Sequence, residues 1–126
     1  DVLINCCDQY FLLSAYQGPK KRNSQGVDSV LMTNFLAPYA LTRCLLCAKE
    51  LDTRNLRVIN VTSGSYTQNK LHFHDMGCNS RPYEIYQAYG ESKLALLLFS
   101  LSLPSKAAEL DPGRDIVSIA VHPGVI

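Results

Sequence analysis

Three short apolar runs punctuate this chain: Val2-Leu3-Ile4-Asn5, Leu56-Arg57-Val58-Ile59-Asn60-Val61 and Ile116-Val117-Ser118-Ile119-Ala120-Val121. Each has the length and β-branched content of a buried strand, and long stretches of helical character lie between them. Strands joined by helical crossovers run parallel, and parallel sheets are covered by helices. The pattern predicts an α/β fold, doubly wound, with helices on both faces and the order β-α-β-α-β. Ligands in such sheets bind beyond the C-terminal strand ends. That rule directs attention to Thr62-Ser63-Gly64-Ser65, a hydroxyl-rich strand terminus, while His122-Pro123-Gly124 turns away from the end of the third strand.

The first helical stretch runs from Val27 to about Leu51, with Val30, Leu31, Phe35, Leu41, Leu45 and Leu46 as its apolar face. Pro38 falls inside it. Proline has no amide hydrogen, so the carbonyl four residues back, that of Asn34, loses its partner. A kink with a free carbonyl and an amide side chain can hold a water molecule. Residues 8–26 and the turn at 52–55 read as loops. The polar segment 64–84 is long enough to serve as a substrate-side lid, with His72, His74 and Asp75 as its anchors.

The second helix is expected from about Tyr86 to Leu110, with a kink or restart at Pro104 and a stop at Asp111-Pro112-Gly113. It opens with Tyr89-Gly90-Glu91-Ser92-Lys93. Residues four apart lie on one helix face. A Lys93 ammonium beside the Tyr89 phenol favours the phenolate, and the pair can exchange a proton with a substrate oxygen near neutral pH. Tyr16/Lys20 and Tyr66/Lys70 repeat the spacing. Gly18 and Pro19 spoil the first as helix, and the second is polar loop. Only Tyr89/Lys93 leads straight into an apolar helical run.

At 126 residues and net charge +1, the chain is at most one domain, and nucleic acid is not an implied partner. No run of about 18 apolar residues stands out as a membrane segment. Cys6, Cys7, Cys44, Cys47 and Cys78 lack the spacing of a zinc site, and His72 and His74 do not supply it. Reduced, mostly buried thiols and a cytoplasmic setting are expected.

Taken together, these pieces resemble the short-chain dehydrogenase/reductase family, in its retinol-dehydrogenase-like and WW-domain-oxidoreductase-like branches. Asp1–Asn5 is similar to the strand leading into the family's Asn-Asn-Ala-Gly motif. Asn34-Phe35-Leu36-Ala37 resembles the Asn-His-Leu-Gly segment. Arg57–Ser63 resembles the serine-bearing strand, His72-Phe73-His74-Asp75 the retinol-dehydrogenase loop, Ala88–Leu98 the Tyr-x-x-x-Lys helix, and Ala120–Val125 the next strand and turn.

The resemblance implies a partial Rossmann-type fold and an NAD- or NADP-dependent oxidoreductase interconverting a small alcohol and carbonyl, with a lipophilic or retinol-like substrate in view. It implies Tyr89 as general acid/base and Lys93 as its cationic partner and ribose contact. Ser63 would orient the substrate oxygen, and Asn34 would hold a water in the proton relay. Asn5, Tyr89, Lys93, Pro123 and Gly124 would lie against the cofactor. It is compatible with a homodimer.

Two departures accompany it. The Asn-Asn-Ala-Gly motif stands here as Asn5-Cys6-Cys7-Asp8, so a carboxylate replaces the glycine that lets backbone approach the cofactor. No Gly-rich turn follows a first strand, so residues 1–126 read as a partial domain lacking the N-terminal phosphate-cradling half. The chain is therefore expected to be a segment of a longer protein, folding poorly and binding cofactor weakly alone. The alternative reading is a non-catalytic binding or scaffold member of the same fold. A serine hydrolase using Ser63 lacks a nucleophile elbow.

Overall fold

The computed structural model describes residues 1–9, 21–48 and 55–124. Tyr16 and Lys20, the C-terminal end expected for the first helical stretch, most of the turn after it, and Val125 lie outside the described residues. Strands β1 (Val2–Asn5), β2 (Arg57–Val61) and β3 (Val117–Val121) form one parallel sheet in that order. Asn5 aligns with Asn60, and Asn60 with Ala120. This is the expected β-α-β-α-β arrangement, an open Rossmann-like sheet.

Between β1 and β2 the chain is helical from Ser29 to Cys47 in three pieces: α1 (Ser29–Leu31), a wide π turn (Met32–Leu36) and α2 (Ala37–Cys47). Asp28 caps α1, its Oδ1 accepting from the Leu31 amide at 2.8 Å. The disturbance expected from Pro38 takes the form of the π turn. The Ala37 amide bonds back to the Met32 carbonyl, and Pro38 sits in the first turn of α2, where its missing donor matters least. The buried face of α2 is Pro38, Thr42 and Leu46, at helical spacing; Leu41, expected to face the core, is exposed. By length and composition alone, Ser29–Cys47 is apolar enough to cross a membrane. The sequence reading missed this because polar Asn34 and Thr42 interrupt the run; in this fold both are fully buried.

Helix α3 (Ile85–Leu110) passes through Pro104 without the expected restart. Leu103 and Ala107, on either side, are both buried in the core and hold the helix to the sheet. That core joins Leu46 of α2, Leu103 and Ala107 of α3, and Leu56, Val58 and Ile116 at the strands, with Leu3 and Phe99 packed against it. Fully burying one such side chain is worth about 1.5–3 kcal/mol. A polar seam runs beside it. Asn5 Nδ2 donates to Asn60 Oδ1 (2.8 Å) and Thr42 Oγ1 (3.4 Å), and Asn60 Nδ2 donates to Ser100 Oγ (2.7 Å). The seam ties two strands to two helices, because buried amides must find partners.

These contacts put both helices on one face of the sheet, which corrects the expectation of helices on both faces for the described residues. The reason is handedness. Two right-handed crossovers that step the same way, β1 to β2 to β3, lay their helices on the same side. The opposite face carries Val2, Ile4, Val117, Ile119 and Val121, each at least 39% exposed. The cysteines also differ from expectation: Cys6, Cys7, Cys44 and Cys47 are exposed, and only Cys78 is buried. Cys44 and Cys47 fall off the Pro38–Thr42–Leu46 stripe, and the segment after β1 carries Cys6 and Cys7 along the surface.

Candidate active site

Strand β2 ends at Thr62 and Ser63, and the chain turns at once into a short 3-10 helix, Gly64–Gln68, within the stretch expected to be loop. Ser63 caps that helix: its Oγ accepts from the Ser65 amide at 3.4 Å and from Ser65 Oγ at 3.0 Å. The 3-10 helix lies against the start of α3 at Gly90. A Cβ there would collide with Asn69 Nδ2 and stand 2.9 Å from the Ser65 carbonyl oxygen. Glycine is needed at this point because two backbones meet. A cleft of about 920 Å³ opens beyond the C-terminal strand ends; Ser63, Tyr89, Pro123 and Gly124 line it, together with Asp8 and His122.

The first turns of α3 are buried continuously from Ala88 to Lys93. Tyr89 is 6% exposed and Lys93 is fully buried. The Lys93 Nζ donates to the carbonyls of Cys7 (3.2 Å) and Val61 (3.1 Å), and it lies 5.6 Å from the centre of the Tyr89 ring. Burial pushes the Lys93 ammonium below its ordinary value, and the Asp8 carboxylate opposes that shift. Asp8 bridges the two groups: its Oδ2 accepts from the Tyr89 hydroxyl at 3.0 Å and lies 3.6 Å from Lys93 Nζ.

The remaining expected site residues fall elsewhere. Asn5 is not on the cleft wall. Strand alternation turns its side chain, like that of Leu3, toward the helices, where it belongs to the polar seam. Asn34 is also fully buried away from the wall. Its Oδ1 accepts from the Gln9 amide (3.0 Å) and its Nδ2 donates to Ser92 Oγ (3.1 Å), tying the segment after β1 to α3. Ser92 Oγ in turn donates to the Tyr89 carbonyl at 2.7 Å.

Sequence reasoning missed one charged cluster beside the cleft. Glu91, 2% exposed, accepts from Arg81 Nη2 at 2.6 Å and meets His72 Nδ1 at 3.0 Å. Arg81 also lies 3.5 Å from Asp75. The Glu91 hydrogen bond raises the Arg81 pKa above its ordinary value, against the effect of desolvation. The cluster clamps the 69–84 segment onto α3, the anchoring role expected of His72 and Asp75. The available signal was Glu91 itself, a carboxylate between Tyr89 and Lys93 on a helix that becomes apolar immediately afterwards.

An open parallel sheet with a Tyr-x-x-x-Lys helix and a strand-terminal serine around one cleft defines a class of α/β oxidoreductase architecture. Proteins of that class resemble this chain. It is 31% identical over 108 residues to bovine retinol dehydrogenase 12, and 33% identical over the same length to the human protein, in each case across 86% of this chain and 32% of the relative. It is 34% identical over 101 residues to a Streptomyces lividans protein named as a probable oxidoreductase. A crystal structure of an uncharacterized protein from Mycobacterium paratuberculosis superposes with a TM-score of 0.79 at 32% identity, over 98% of this chain and 41% of that one. No family model matches the chain. The chain spans about a third of the length of the curated relatives it matches. It is a partial match to the retinol-dehydrogenase-like short-chain dehydrogenase/reductases.

Proposed function

We propose that the protein carrying this chain is an oxidoreductase that interconverts an alcohol and a carbonyl, with Tyr89 as the general acid/base. The observation that carries this reading is convergence. Tyr89 and Ser63 face one cleft at the C-terminal ends of parallel strands, with the Lys93 ammonium buried directly behind the phenol. In the reducing direction Tyr89 gives a proton to the substrate oxygen; in the oxidising direction it takes one. Ser63 Oγ, fixed by the turn it caps, donates to the same oxygen and stabilises charge developing there. Lys93 biases the phenol electrostatically, and Asn34 acts as a positioning residue through Gln9 and Ser92.

The cleft residues fit the nicotinamide end of NAD or NADP. Gly124 leaves open space beside its backbone, with nothing within 4 Å of where a Cβ would stand, and Pro123 precedes it on the wall. Such a cofactor supplies or accepts the hydride. Polar groups such as Thr62, Ser65, Gln68 and Asn69 on the same wall support a substrate whose reacting end is polar. Tyr86, Tyr89 and Pro123 on the wall offer apolar surface to a retinol-like or other lipophilic tail.

Tyr89→Phe is the test. Removing a general acid/base costs roughly 10²–10⁴-fold in rate. That loss, with cofactor binding retained, supports the proposal. Unchanged turnover rejects it in favour of the binding or scaffold reading, which the Asp8 carboxylate in the cleft favours.

A further inference from the structure

Tyr89 is buried, so a proton that it takes from a substrate has to leave through a neighbour. Lys93 is fully buried and directs its ammonium protons at two backbone carbonyls. Asn34, the expected relay residue, is held by Gln9 and Ser92. Asp8 differs from both. It accepts directly from the Tyr89 hydroxyl at 3.0 Å, and its side chain is 42% exposed, so one carboxylate touches the buried phenol and water together. The nearby Lys93 ammonium, at 3.6 Å, orients it. From the geometry we infer that Asp8 is the proton outlet of Tyr89.

This rests on the proposed function and adds a residue to it. In alcohol oxidation the substrate hydroxyl proton passes to Tyr89 Oη as the Tyr89 proton passes to Asp8 Oδ2. The carbinol C–H bond breaks, its electron pair leaves as hydride to an oxidised nicotinamide, and the C–O bond becomes C=O. The substrate is oxidised, a bound nicotinamide would take up the two electrons as hydride, and the Asp8 acid then releases its proton to water. Reduction runs the same transfers backwards. Tyr89 remains a neutral phenol at both ends of the step, so the reaction does not need a standing phenolate. Among the described residues, the other titratable groups facing Asp8 are the Cys6 and Cys7 thiols on its own segment, Tyr89 and Lys93 on α3, and Lys70, His72, Tyr86 and His122 around the cleft.

Two measurements test it. In the first, the near-ultraviolet phenolate signal is titrated in the wild type and in Asp8→Asn, each with Tyr89→Phe subtracted, to isolate Tyr89. A carboxylate that accepts from a phenol stabilises the neutral form. Asp8→Asn is therefore expected to ionise Tyr89 at lower pH; an unchanged titration overturns the inference. In the second, Asp8→Asn is expected to lower alcohol oxidation at neutral pH by about 10- to 100-fold, and Asp8→Glu to restore part of it. A wild-type profile in Asp8→Asn overturns the inference while Tyr89→Phe still reports on the proposed function. If Tyr89→Phe keeps full turnover, the function itself fails, and the titration still reads the Asp8–Tyr89 coupling.

Discussion

Glu91→Ala is expected to destabilise the fold by about 2–3 kcal/mol, a figure worked from its surroundings. Glu91 is 2% exposed and meets Arg81 at 2.6 Å and His72 at 3.0 Å. A hydrogen bond to a charged group contributes about 1.5–3 kcal/mol, and breaking a buried pair costs about 3–5 kcal/mol. The upper values do not apply here. The Arg81 side chain is 17% exposed and keeps Asp75 at 3.5 Å, so it is not stranded when Glu91 is removed. The His72 side chain is 43% exposed, and its bond is worth a surface value of about 1 kcal/mol or less. For a chain of 126 residues the loss corresponds to a melting point lower by about 10 °C. Glu91→Gln, which keeps the shape and one acceptor, should lose about half as much. A double-mutant cycle with Arg81→Ala, followed by thermal denaturation, should give a coupling of about 1–2 kcal/mol. A Glu91→Ala melt within about 2 °C of wild type would refute the claim that this carboxylate clamps the loop.

Two further outcomes follow from the same region. Gly90→Ala gains about 1 kcal/mol of helix propensity, but its methyl meets Asn69 and the Ser65 carbonyl, and overpacking costs about 1–3 kcal/mol. A net loss of about 1 kcal/mol is expected in chemical denaturation, with ligand binding hurt more because the Ser63–Ser65 turn must retreat; a variant more stable than wild type contradicts the close approach. Burial holds the folded pKa of Lys93 below its ordinary 10.5. The unfolded chain binds that proton more tightly, so stability rises with pH through the window beneath 10.5. Tyr83 acts in the opposite sense above pH 10, where burial and Asp28 keep it protonated in the fold and the unfolded tyrosine ionises first. Lys93→Met should flatten the rise in urea midpoint; identical slopes in the two proteins would count against a desolvated Lys93.

The three strands, their parallel order and the span of α3 were legible because apolar runs and helical spacing are local signals. The Tyr89–Lys93 pair was legible for the same reason, since four residues of helix place two side chains on one face. Pro38 signalled a disturbed helix, but not that a π turn would absorb it. The Glu91–Arg81–His72 clamp and the bridging position of Asp8 were not legible, because their partners are 10, 19 and 81 residues apart.

The sequence by itself determined the alternation of elements, which strand end carries the hydroxyl-rich turn, and the shared helix face of Tyr89 and Lys93. Only the tertiary structure decided that both helices share one face, that Asn5 belongs to a buried amide seam, and that a carboxylate from the segment after β1 reaches the Tyr89 hydroxyl. The physical reason is range. Backbone period and propensity act over a few residues, whereas the face a side chain takes in the assembled sheet, and the charge it meets there, depend on crossover handedness and strand register.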